Sequence, residues 1–412
     1  MATIQVDARQ PRYVPPDAHW LDIGRLRLYS YTALACYVLY FGIWTFRACV
    51  LKVPGVFAPG GDFVAFWSAA KVALSSGAAA SYDFESLRQV ELAAVPGLAI
   101  GDGVLPWLYP PTFLLVVLPF GLLPYSLATM TFLAGGVGCY VWAACRTLPW
   151  RSAWIAAPAF PCVAVVLTTG QNALWLAGCA GLGLTCLRSR PWLAGMLMGL
   201  VTVKPHLALM LPVALICARA WRALWAMIAT SLALIVVSLL VFGAETFTAF
   251  LRNAGMALES VEQGSMLLVR MPTVFAAVKM ISGGVALPYT MHGIVAAAAL
   301  ASVVYAWSRP CSFALRAAVL ASAGLLAPAY LYDYDLAFLG LAIAWLGVHG
   351  HSAGWLRGER ELLVLLWLLP LWGLLMGAWI KFQPMPLGLM LAVALGVWRI
   401  RMERTGKALI NA

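Results

Sequence analysis

ALWAMIATSLALIVVSLLVF, residues 223–242, decides the fold class. It carries no charge, and as a helix it covers about 30 Å, the thickness of a bilayer's hydrocarbon core. Apolar runs of the same kind recur at about 28–50, 107–123, 126–145, 152–169, 171–187, 191–203, 206–218, 289–308, 311–329, 336–349, 362–380 and 384–398. Several are short, as half-helices or tilted pairs would be. Residues 271–283 form a further short apolar piece, better suited to a re-entrant or interfacial position. The chain has 412 residues, 63% of them hydrophobic and 10% charged. A soluble domain carries about 25% charged residues, so a soluble enzyme is excluded. The expected fold is an all-α polytopic membrane protein. Residues 1–24 are polar and contain proline, without an apolar core or small-residue cleavage site, so no cleavable signal peptide is expected.

The net charge of +11 comes from arginines scattered in short loops. That pattern follows the positive-inside rule and argues against nucleic-acid binding. Arg25 and Arg27 place the N-terminal segment 1–27 in the cytoplasm. Arg188/Arg190, Arg219/Arg222, Arg309/Arg316, Arg357/Arg360 and Arg399/Arg401/Arg404/Lys407 mark the same side, with 401–412 as a cytoplasmic tail. Residues 107–169 resist this scheme: Arg146 and Arg151 read as cytoplasmic while both flanking loops read as external. Either one of the three runs there is re-entrant, or those arginines face outward. One re-entrant run gives about 12 transmembrane helices with both termini inside.

The nine cysteines (Cys36, Cys49, Cys139, Cys145, Cys162, Cys179, Cys186, Cys217 and Cys311) lie mostly in apolar runs, are odd in number and form no CxxC pair. Packing thiols fit them better than a disulfide framework or a metal site. There is no Walker motif, GxGxxG, HExxH or GxSxG.

The outer loop 51–106 holds Asp62, Asp83, Glu85, Glu91 and Asp102. An amphipathic helix is expected over 64–76, with the aromatic stretch Phe63-Val64-Ala65-Phe66-Trp67 lying in the membrane interface. Ser81-Tyr82-Asp83 reads as the cap of a second helix at about 84–94. A second outer loop, 243–270, carries Glu245, Glu259, Glu262, Gln263 and Arg270. Polar groups interrupt the apolar runs at one membrane face: Asp62; Tyr109-Pro110-Pro111; Gly170-Gln171-Asn172; Lys204-Pro205-His206; Gln263 and Arg270; and Tyr332-Asp333-Tyr334-Asp335. A carboxylate beside lipid is costly unless used. Each group also has a plainer reading. Asp62 could cap the following helix, and Tyr109-Pro110-Pro111 could only start a span. Gly170-Gln171-Asn172 could be a tight turn. Lys204 and His206 could snorkel or bind an anionic phosphate. Tyr332 to Asp335 could be a wet loop or a place for a sugar to stack and hydrogen-bond. The case rests on the set.

The series Gly61-Asp62-Phe63, Tyr109-Pro110-Pro111 with Leu118-Pro119-Phe120, Gly170-Gln171-Asn172, Lys204-Pro205-His206 and Phe242-Gly243-Ala244-Glu245 resembles glycosyltransferase family 87, which includes the mycobacterial phosphatidylinositol-mannoside mannosyltransferases. The resemblance covers about residues 28–345 and leaves 346–400 as C-terminal transmembrane helices without a matching motif. It implies a GT-C fold in the cell (inner) membrane with its active site toward the periplasm or exterior. The implied donor is a polyprenyl-phosphate sugar, the acceptor an envelope lipid or glycan, and the transfer of a hexosyl group, mannosyl first, is inverting. Asp62 occupies the position of the family's general base. Gly61 stands where many members of the wider class have a second acid, so no metal and no cofactor are expected. Lys204, then His206 and Arg270, would meet the phosphate. Gln171, Asn172, Tyr109, Tyr332, Asp333 and Asp335 would hold the sugar. The rival reading is a transporter or lipid flippase, which would show internal repeats and midplane charges.

Overall fold

A computed structural model of the protein describes residues 13–14, 19–53, 56, 60–95, 98, 105–263, 267–380 and 382–410. The architecture is a helical bundle. Among the described residues, its one pairing of strands is a two-residue antiparallel bridge between β1 (Tyr13–Val14) and β2 (Trp355–Leu356). In chain order the helices are α1 (Ile23–Thr45, continued by a π turn to Val50), α2 (Phe63–Ser76), α3 (Phe84–Ala94), α4 (Pro111–Val117, continued by a 3-10 turn to Leu122) and α5 (Tyr125–Thr147). There follow α6 (Ala153–Ala156), α7 (Pro161–Thr169), α8 (Ala173–Cys186), α9 (Pro191–Leu200), α10 (Pro205–Ala208), α11 (Met210–Cys217), α12 (Trp221–Phe242) and α13 (Ala244–Gln263). The chain ends with α14 (Val274–Ser282), α15 (Ala286–Trp307), α16 (Phe313–Gly324), α17 (Ala337–Ala353), α18 (Glu359–Ile380) and α19 (Met385–Ile410).

Among the described residues, seven helices are long and apolar enough to cross a membrane: 23–50, 125–147, 221–242, 286–307, 333–353, 359–380 and 385–405. The first of these leaves large apolar side chains such as Val38, Leu39 and Ile43 exposed. An apolar surface of that extent suits lipid rather than water. Six shorter apolar helices accompany the seven. Proline explains many of the breaks. It stands in the first turn of α4, α7, α9 and α10, where its missing N–H costs nothing. The run expected at 152–169 is accordingly split into α6 and α7 around Pro158 and Pro161. Gly195 and Gly199, four apart on α9, lie against Ala223 and Thr230 of α12 with no room for a side chain, a close small-residue crossing.

Both ends of the α4 unit meet the 60–95 segment: Tyr82 donates its hydroxyl to the Tyr109 carbonyl at 2.8 Å, and Trp67 Nε1 donates to the Leu123 carbonyl at 2.9 Å.

Two expectations for the outer loops are corrected. The aromatic stretch of α2 does not face outward. Phe63 and Phe66 are fully buried, packed on Phe120, Phe132, Trp107 and Phe113. Its apolar face fills the bundle instead of the interface because α4 and α5 offer it aromatic partners. The region 243–270 holds a 20-residue helix, α13, which caps the first loop: Asn253 Nδ2 donates to the Tyr82 carbonyl at 2.9 Å. The second helix of the first loop forms where expected, capped by Asp83 accepting from Ser86 N. Asp102 lies outside the described residues.

Candidate active site

The site forms where short helices end. The α8 helix has 14 residues, about 21 Å, so the turn before it lies well away from the Arg188 end. The α9–α10 break does the same for Lys204. At these ends two backbone segments cross. Gly60 N donates to Thr168 O at 2.9 Å, and Asp62 N donates to Thr169 O at 2.7 Å. Gly170 adopts φ +82°, and a Cβ there would stand 2.5 Å from Gly60 O. Glycine is needed for both the left-handed conformation and the contact. The crossing delivers Asp62 to Gln171, whose Nε2 donates to Asp62 Oδ2 at 3.0 Å. Gln171 Oε1 in turn accepts from the Tyr109 hydroxyl at 2.9 Å.

Asp62 stands at the start of α2 but makes no capping hydrogen bond, so capping does not account for it. Burial raises its pKa above the ordinary carboxylate value, while the Gln171 hydrogen bond and the Arg270 charge pull it partly back and Asp333 adds to the rise. Neutral charge is favoured by burial and the ionised form by its partners, which leaves a carboxylate more basic than one in water.

The other two carboxylates are neutralised. Lys204 Nζ donates to both oxygens of Asp335, at 2.6 and 2.8 Å, with both residues buried. Arg270 forks onto Asp333 through Nε at 2.9 Å and Nη2 at 2.8 Å. Among the described residues Asp62 has no cation within 4 Å. Of the two cations, Lys204 is shut in, with 6% of its side chain exposed, whereas Arg270 keeps 27% exposed. Lys204, the expected first phosphate ligand, is thus already committed to Asp335.

Aromatic rings line the paired charges. Lys204 Nζ lies 4.7 Å from the Tyr334 ring and 6.0 Å from the Tyr109 ring, and Arg270 lies 5.9 Å from Tyr332. Tyr330, Tyr332 and Tyr334 form a run of ring contacts that reaches His206. Asn172 and His206 each have a buried polar side-chain atom without a protein partner. The segment 332–336 is a 3-10 turn held by Cys162 Sγ, which donates to the Tyr334 carbonyl at 3.2 Å. From the C-terminal part, Gln383 Nε2 donates to the Val269 carbonyl at 2.7 Å, beside Arg270.

The ten residues given a catalytic or binding role from the sequence therefore gather in one region from six chain segments, while Gln263 is exposed at the end of α13. Sequence reasoning missed Tyr330, Cys162, Asn253 and Gln383. The alternation of tyrosine with other residues over 330–334 was a usable signal for Tyr330, since residues two apart share a face of extended chain. The other three had none, because their roles rest on backbone carbonyls distant in sequence.

The fold defines a multi-span membrane protein that gathers a buried cluster of paired polar groups. The profile of glycosyltransferase family 87 matches residues 107–331, more than half of the chain, and the chain belongs to that family. It is a membrane glycosyltransferase. The match begins after Asp62 and ends before Asp333, so it takes in Tyr109, Gln171, Asn172, Lys204, His206 and Arg270 only. No curated protein and no solved structure matches the chain.

Proposed function

We propose that the protein is a GT-C-class enzyme that moves a hexosyl group, mannosyl first, from a polyprenyl-phosphate sugar to an envelope lipid or glycan, with inversion and with Asp62 as general base. One observation carries this reading. Of the three carboxylates at the site, two are tied to cations and Asp62 alone is held by a neutral amide, free to take a proton. The acceptor hydroxyl oxygen attacks the anomeric carbon from the face opposite the phosphate. The bond from that carbon to the phosphate oxygen breaks, the hydroxyl proton passes to Asp62, and polyprenyl phosphate leaves with the bonding electrons. Arg270, the more exposed cation, is the best placed to stabilise the departing phosphate. Lys204 acts by holding Asp335, and His206 with Asn172 would use unpartnered polar atoms on substrate.

The same reading makes residues 28–345 the catalytic unit, served by 346–400 as a buttress. It counts about twelve crossings, with short helices joined in tandem and the α4 unit re-entrant. The positive-inside pattern puts the Asp62 face toward the periplasm or exterior of the cell membrane. The test is transfer from a panel of polyprenyl-phosphate sugars by purified protein in lipid, with native membrane extract as acceptor. Wild-type transfer lost in Asp62→Asn, with normal folding, is expected. Transfer surviving in that variant would remove Asp62 from the mechanism, and no transfer with any donor would remove the donor class.

A further inference from the structure

A second site lies at the opposite end of α5. That helix runs from Tyr125, packed on Phe63 and Trp67, to Thr147, a distance of about 35 Å. Beside Thr147 there is a cavity of about 260 Å³ lined by Arg146, Thr147, Thr185, Arg188, Phe313 and Trp345. Its size falls just below the range of pockets that enclose a whole small ligand, so it suits a head group.

Several features of its wall point to an anion. Arg146 and Arg188 converge on it from α5 and the end of α8, and among the described residues neither meets a carboxylate within 4 Å. Arg188 lies 5.4 Å from the Phe313 ring, which holds its guanidinium while leaving its edge open. Thr147 and Trp345, over nine-tenths buried, form the floor of the cavity, with their Oγ1 and Nε1 shut off behind it. Phe313 is the first residue of the 12-residue α16, whose N-terminal end is already met by the Glu403 carboxylate, which accepts from Ser312 N at 3.0 Å. The carboxyl ends of α5 and α8 also attract arginines, and that alone could explain two of them. It does not explain the cavity between them.

The setting identifies the source of the anion. Trp142, one turn before Arg146 on α5, is 61% exposed, and Trp192 beside Arg190 is 57% exposed. Exposed tryptophans beside arginines mark the head-group level of a bilayer. We propose that this cavity binds the phosphate of an anionic glycerophospholipid in the leaflet opposite the Asp62 site. The inference does not depend on the chemistry assigned to Asp62.

The full chain, purified in detergent, is incubated with phosphatidylglycerol or phosphatidylcholine, and retained lipid is counted by native mass spectrometry. Wild type should keep phosphatidylglycerol over phosphatidylcholine, and Arg146→Gln/Arg188→Gln should reduce retention on the order of tenfold. Arg188→Gln alone should lower it severalfold and serves if the double variant misfolds. Equal retention in the variants and wild type overturns the proposal. So does displacement of the lipid by millimolar inorganic phosphate, which would assign the cavity to a soluble anion.

Discussion

Replacing Gly170 with alanine should disable the enzyme without removing a polar side chain. The new Cβ would lie 2.5 Å from Gly60 O, 2.8 Å from Gly60 C and 2.9 Å from Gly60 Cα. These are backbone atoms and cannot rotate away. Holding alanine at φ +82° costs about 1–2 kcal/mol, and overpacking adds about 1–3 kcal/mol. The sum is roughly 2–5 kcal/mol. Relief requires the 60–62 segment to back off by about 1 Å, toward ordinary contact distance. That segment carries Asp62 through its N–H to Thr169 O, so the carboxylate moves with it. A displacement of about 1 Å can reduce the rate roughly 100-fold. Gly61→Ala is the control, because nothing lies within 4 Å of its Cβ position. The assay is initial rate of sugar transfer in lipid for both variants, alongside a thermal unfolding midpoint. A Gly170→Ala protein that transfers at the wild-type rate would refute the idea that this crossing positions the base.

Transfer should fall as pH is lowered through the Asp62 pKa, and because burial raises that pKa the decline should begin above the usual carboxylate range. A rate profile flat down to pH 4 would contradict this. Lys204→Met should destabilise the fold by about 3–5 kcal/mol by stranding the buried Asp335, and Lys204→Met/Asp335→Leu should recover much of the loss; denaturation in detergent distinguishes the two. Glu91 is buried, with Leu105 N donating to one oxygen and no partner for the other. Burial pushes its pKa up to about 7. A folded-state pKa above the unfolded one means stability present at low pH and lost as pH rises through about 7. With the base-catalysed rise in intrinsic exchange divided out, protection of the α3 amides should therefore fall between pH 5 and about 8, and Glu91→Gln should flatten that fall.

The helices were legible because apolar length and proline placement are local properties. The boundaries of α3 follow from its Asp83 cap, whereas the break before Pro161 that splits the 152–169 run was not foreseen. The gathering of Tyr109, Gln171, Lys204, Arg270 and the 332–335 turn was also legible, since each interrupts an apolar run. Their pairing was not. Gln171 meets Asp62 across 109 residues and Lys204 meets Asp335 across 131, and only packing decides such partners. Lys204 looked free for a phosphate because its neutralising carboxylate arrives from a distant turn. The α13 helix escaped notice because a polar amphipathic helix and a wet loop have similar composition. Phe63 and Phe66 face inward because α4 and α5 supply rings that a linear reading cannot see.

The bridge between β1 and β2 sets a schedule for biosynthesis. Around it, the Leu21 carbonyl accepts from Arg360, and His19 meets Glu361, 342 residues later. At about 5–20 residues per second, the N-terminal arm waits roughly 20 to 70 s for those partners to leave the ribosome. The first helix therefore inserts before those partners exist, with Arg25 and Arg27 at one end and Arg47 and Lys52 at the other. The arm then closes over the far end of the chain as a late seal, and an N-terminal fusion that blocks it would leave a correctly inserted but unlatched enzyme.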